Sequence, residues 1–116
     1  MKTTSIESHL PLGDLAFHIL LALGSGPTHG YAIGQEIEDR SGGRLRPTTG
    51  ALYQALKRLR DDGLVALDAE AARESPDARR KYFRLTELGR DVAAAEARRL
   101  DALVAVARDR RLYGRS

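Results

Sequence analysis

Arg46-Pro47-Thr48-Thr49-Gly50-Ala51-Leu52-Tyr53-Gln54-Ala55-Leu56-Lys57-Arg58-Leu59-Arg60-Asp61-Asp62-Gly63-Leu64-Val65-Ala66-Leu67 is the stretch that decides the fold. Pro47 and the two threonines suit the start of a helix, Asp62-Gly63 suits its end, and an apolar run follows at once. The stretch therefore reads as a capped helix leading straight into a strand. Leu52, Ala55, Leu56 and Leu59 recur at i, i+3, i+4 and i+7, which makes one buried stripe. Gly50, Gln54, Lys57 and Asp61 point the other way, flanked by Tyr53 and Arg58. An outer face with amide and cationic groups and no large aliphatic residue suits the major groove of DNA. There Lys and Arg meet phosphate and guanine, and Gln meets adenine. The plainer reading is a surface helix that merely solvates its outer side, so the neighbouring elements decide.

Upstream, Leu12 to Leu23 is apolar almost all round, as in a helix covered on several sides, and Gly24-Ser25-Gly26-Pro27 ends it. Thr28 is read as the cap of a second helix from about His29 to Arg40, closed by Ser41-Gly42-Gly43. Downstream, Leu64 to Ala69 and Tyr82 to Leu85 read as paired strands. The charged, Pro76-containing segment from Glu70 to Arg80 between them reads as a projecting, mobile wing. Thr86 caps a last helix reaching about Leu112. Helix, helix, helix, strand, wing, strand, helix is the order of a winged helix-turn-helix. The expected architecture is thus mainly α with a small β-hairpin: a winged helix-turn-helix over 1–85, then a C-terminal dimerisation helix over 86–116.

Composition narrows the function. The 116 residues include 42% hydrophobic and 30% charged positions, which fits one globular domain. A net charge of +3 permits a polyanionic partner without demanding one. With no cysteine, thiolate metal sites, disulfides and Cys nucleophiles are excluded. No apolar run has the length of a membrane span, and Met1 to His9 lacks the pattern of a signal peptide, so a cytoplasmic protein is expected. With no asparagine in the chain, Gln35 and Gln54 are its only amide side chains. His18 and His29 lie on different helices without a third ligand in register, so no metal is expected. The glycines around Gly24 to Gly30 fail the dinucleotide pattern, because His29 takes the third glycine's place and a helix precedes them. No catalytic constellation stands out, so neither enzyme nor cofactor is expected.

On this reading Gln54 is the candidate for a base edge, while Lys57 and Arg58 are the candidates for phosphates. Thr48 and Thr49 combine capping with backbone contact. Tyr53 shares its ring with the core and its hydroxyl with DNA. Tyr31 either reaches a phosphate or packs in the core. Arg73, Arg79, Arg80 and Lys81 stand in or beside the wing, where the alternative is a solvated hairpin tip. On the last helix Leu88, Val92, Ala95, Leu100, Leu103, Val104 and Ala107 form an apolar stripe. A lone helix cannot bury such a stripe, so a homodimer is expected, with folding back onto Leu12–Leu23 as the alternative for part of it.

Four blocks then carry a resemblance: Phe17 to Leu23, Gly26-Pro27-Thr28-His29-Gly30-Tyr31, Gly50 to Leu59, and Arg80-Lys81-Tyr82-Phe83-Arg84-Leu85-Thr86. Their order and spacing resemble the PadR family of bacterial transcriptional regulators from Leu12 to about Gly89. The resemblance implies a homodimeric winged helix-turn-helix repressor of double-stranded DNA, often controlled by a small molecule or by cell stress. The single last helix is similar to the compact branch of that family. Some compact members hold flat aromatic drugs between tryptophans at the dimer interface. This chain has no Trp, so that mechanism does not carry over. A rival of another class is a winged-helix module that uses the same helix to bind protein.

Overall fold

A computed structural model describes residues 6–77 and 79–114. Its elements are α1 (Asp14–Leu23), β1 (Thr28–His29), α2 (Gly30–Arg40), α3 (Thr49–Asp61), β2 (Val65–Leu67), α4 (Ala69–Arg73), β3 (Tyr82–Leu85) and α5 (Glu87–Asp109). α1 lies at the centre and packs against α2, α3 and α5. Its Ile19, Leu20 and Leu23 meet Ile33 and Ile37 of α2, Leu52, Leu56 and Leu59 of α3, and Val92 of α5 in one core. The three leucines of α3 are at most 4% exposed, as their spacing predicts, and Ala55 is half-buried beside them.

α3 ends where Asp62-Gly63 predicts, and the hydrogen bonds show why. Gly63 N–H donates to Arg60 O at 3.0 Å and Leu64 N–H to Leu59 O at 2.9 Å. This pair of bonds satisfies the last carbonyls only if the residue between them turns left-handed. Gly63 does so, with φ of 80°. Thr86 then ties the next helix to that turn. Its hydroxyl donates to Gly63 O at 2.6 Å and accepts from Gly89 N–H at 2.9 Å, capping α5 as expected.

The sheet differs from the expected hairpin. β3 lies between β1 and β2, antiparallel to both, with Thr28 opposite Phe83, His29 opposite Tyr82, and Val65 opposite Leu85. Because Thr28 is taken up by a strand, it is not the cap of α2. His29 is, through Nδ1, which accepts from Ala32 N–H. The wing also holds more structure than an irregular loop. Asp68 accepts from Ala71 N–H at 2.9 Å and caps the short helix α4. Farther along, the Tyr82 hydroxyl donates to Ser75 Oγ at 3.2 Å.

Glu96 carries no signal of its role in the sequence around it. Its carboxylate, 2% exposed, accepts from Leu12 N–H at 3.1 Å and from Arg99 at 2.6 and 3.1 Å. A buried charge persists only when paired, and this one clamps the segment before α1 onto α5. The Arg99 hydrogen bonds, helped by Leu12 N–H and opposed by burial, hold the carboxyl below the usual glutamate range. A carboxylate with a depressed pKa stabilises the fold fully above its unfolded value and loses that contribution as pH falls through the folded value. Glu96→Gln is therefore expected to cost about 1–3 kcal/mol at pH 7. The difference from wild type should shrink as pH drops from about 5 toward 3, because protonated Glu96 loses the same charge. Urea unfolding at several pH values checks this; a constant difference would remove the charge pair from the account.

Candidate nucleic-acid interface

Thr48 caps α3 by accepting from Ala51 N–H at 3.0 Å, which sets the first turn of the helix at the surface. The side chains opposite the leucines are all exposed: Thr48, Thr49, Gln54, Lys57 and Arg58. Lys57 also bonds to Asp61 one turn on, at 3.0 Å, with both ends well exposed. Such a pair is worth under ~1 kcal/mol and yields readily to a stronger anion.

Tyr53 packs its ring against the core, as one half of its expected role requires. The ring packs at 6.3 Å from Phe83 while the residue stays 41% exposed. Its hydroxyl end lies directly over Gly30 at the start of α2. Any β-carbon there would overlap the hydroxyl and come within 2.7 Å of the ring. The glycine thus lets α2 approach the flank of α3. Tyr31 follows it and is 69% exposed, so core packing is not its role.

The wing meets these helices. A surface cavity of about 510 Å³ is lined by Tyr31, Tyr53, Arg79, Arg80 and Lys81, together with His29 and Asp77. Three separate elements thereby bring five of the candidate side chains to one concavity. Arg79 bonds to Asp77 at 3.3 Å, and Arg80 comes within 3.8 Å of the same carboxylate. Arg73 is exposed on α4 and does not line this cavity. Nor do Gln54 and Arg58. They border a shallow groove of about 610 Å³ on the other flank of α3, shared with Leu12, Gly13 and Asp14. Thr49 joins Tyr31 and Tyr53 around a third hollow, of about 280 Å³.

Among the described residues no three potential ligands gather for a metal ion. His18 lies 3.1 Å from an Arg40 nitrogen. His29 both caps α2 and touches the wing, a contact the sequence does not reveal because β1 pairs with residues more than fifty positions away.

The stripe on α5 splits in two. Val92 is fully buried in the core of its own chain, so it does not face outward, and Leu88 is half-buried against that core. This corrects the expectation for Val92: at that height α1 lies beneath the helix. Ala95 and Leu100 are half-buried. The same helical face then continues beyond the core, where Leu103 is 55%, Val104 39% and Val106 49% exposed, and Ala107 half-buried. Among the described residues nothing covers Leu103 and Val104.

Comparison with known proteins agrees with this architecture. A family described as the transcriptional regulator PadR-like family matches residues 19–95. A PadR family transcription regulator from hypervirulent Clostridium difficile is 25% identical, with a TM-score of 0.70, over 84% of this chain and 97% of that one. RosR of H. salinarum is 26% identical, with a TM-score of 0.62, over 90% and 99% of the two chains. Bacillus subtilis PadR in complex with operator DNA shares the fold at 23% identity and a TM-score of 0.60, over 73% of this chain and 47% of that one. An uncharacterised 37.1 kDa protein in transposon TN4556 of Streptomyces fradiae is 44% identical over 84 residues, 72% of this chain. The chain spans only 22% of that relative's length.

Proposed function

The chain belongs to the PadR-like family of transcriptional regulators, and from that premise we propose that it is a sequence-specific repressor that binds an inverted-repeat operator as a homodimer. The observation that carries the DNA reading is the convergence of Tyr31 from α2, Tyr53 from α3 and Arg79, Arg80 and Lys81 from the wing on one concavity. Beside it the outer face of α3 stands open. A recognition helix needs this arrangement: base-reading side chains on the helix, with backbone contacts from elements on its flank. The fold neighbour from B. subtilis was solved in complex with operator DNA, which supports the DNA reading without placing the contact.

Residues 86–116 supply the dimer contact, through Leu100, Leu103, Val104 and Ala107 rather than the whole stripe. Release by a small-molecule effector is part of this reading, with no aromatic sandwich in a chain that lacks Trp.

Gln54→Ala and Lys57→Ala separate the roles on α3. Loss of Gln54 is expected to relax preference at one operator position by about 1–3 kcal/mol. Loss of Lys57 is expected to weaken all sequences alike and to reduce the steepness of the salt dependence by about one unit. Affinities over a panel of operator variants at several salt concentrations give the answer. Identical profiles for the two variants would mean that base and backbone contacts have been assigned wrongly.

A further inference from the structure

His29 sits where α2 begins and the wing ends. Its Nδ1 accepts from Ala32 N–H at 3.3 Å, which caps the helix. A neutral imidazole has one acceptor nitrogen, so in the tautomer that keeps this cap Nε2 carries the proton. Yet Nε2 lies 2.9 Å from Nη1 of Arg80, and a guanidinium only donates. Exchanging the tautomer would move the conflict to Ala32 N–H. One acceptor is thus claimed by two donors, and the loser's proton faces another proton.

The surroundings do not relieve this. Asp77 approaches Arg80 through Nε, at 3.8 Å. Tyr82 meets the imidazole edge-on at 5.3 Å, and Tyr31 stacks parallel to it at 6.5 Å, so the ring is braced on two sides. Burial first, and then the charge of Arg80, hold His29 below the usual histidine range, against the opposing effect of Asp77. The ring is therefore neutral at pH 7. An oxyanion with several lone pairs, seated in front of the pair, would accept from both at once and remove the conflict.

We propose that His29 Nε2–H and the Arg80 guanidinium together form a binding site for one phosphate-type oxyanion. On the functional reading above, from which the proposal extends, that oxyanion is a phosphodiester of the DNA backbone. The site fastens the first turn of α2 and the base of the wing to a single phosphate. His29 thereby joins the interface, and its cap role and its ligand role use opposite nitrogens.

The test is side-chain nitrogen NMR of the histidine-labelled full chain, titrated separately with inorganic phosphate and with a low-salt duplex of arbitrary sequence. The expected result is a His29 that is protonated at Nε2 when free and whose Nε2 signal moves with the duplex while Nδ1 stays. Two variants accompany it. His29→Asn keeps a capping side chain, and Arg80→Gln leaves the cap untouched. Each is expected to lower duplex affinity about tenfold, alike for all sequences. Movement with inorganic phosphate alone would support the oxyanion site and assign it to free phosphate. A duplex that binds while Nε2 stays still and both variants keep wild-type affinity would overturn the site and leave the DNA reading standing. A wild-type protein that binds no duplex, with Nε2 still in both titrations, would overturn both.

Discussion

Replacing Leu100 and Leu103 together with Glu is expected to convert the protein to a monomer and to collapse its affinity for operator DNA. Leu103 is 55% exposed in the single chain although it continues the face that buries Val92. The isolated domain therefore loses little when Leu103 becomes charged. In a dimer seam the same charges would be buried without partners, at several kcal/mol each. The dimer is then expected to weaken at least ~100-fold, since ~1.4 kcal/mol is a factor of ten. The helical content and the winged core remain, while each half-site is held by only half of the contacts. Sedimentation and operator binding on the same sample decide it. A double variant that stays dimeric with unchanged operator binding would place the interface elsewhere.

Gly89→Ala is expected to be severely destabilising, for a reason confined to one methyl group. Gly89 lies in the first turn of α5, pressed against the backbone of Leu64. A β-carbon would overlap the Leu64 carbonyl oxygen and come within 2.9 Å of its carbon. Backbone cannot step aside as a flexible side chain can, and both neighbours are held by the Thr86 bonds to Gly63 O and Leu64 O. Overpacking of this kind is expected to cost about 3 kcal/mol or more. Gly50→Ala is the control. It adds the same methyl on α3 with nothing within 4 Å, and the gain in helix propensity is about 0.5–1 kcal/mol. Urea unfolding of both variants checks the pair; an unfolding free energy for Gly89→Ala within 1 kcal/mol of wild type would mean that α5 does not seat on Leu64.

Elements specified by neighbours in sequence were legible before the structure. The apolar spacing of α3, its Thr48 cap and its Gly63 stop are all local, and each appears where its residues indicate. Thr86 as the cap of α5 is of the same kind. What escaped depends on distant partners. Thr28 and His29 carry no strand signal of their own; they become β1 because Tyr82 and Phe83 lie alongside. Glu96 looks like any solvated acid on a helix, and the amide that buries it belongs to Leu12, 84 positions away. Val92 looked like part of an open stripe because periodicity reports a face of the helix but not what lies beneath it. The short helix α4 is a different case. Asp68 followed by Ala69-Glu70-Ala71-Ala72 is a capped helical run, masked by Pro76 and by the charge density of the segment.

The candidate interface divides in the same manner. The outward set on α3 follows from its wheel, and exposure of Gln54, Lys57 and Arg58 agrees with it. The meeting of Tyr31 and Tyr53 with the wing depends on Gly30, whose missing side chain makes room for the Tyr53 hydroxyl. No spacing rule in the sequence encodes that approach.

The central claim, a symmetric dimer reading DNA through paired α3 helices, is tested most directly by selecting binding sites from random duplex DNA with the full chain. The account predicts enrichment of an inverted repeat whose half-site centres lie about one helical turn, ~34 Å, apart. A pool that shows no enriched motif, or a single half-site without its inverted mate, would contradict it.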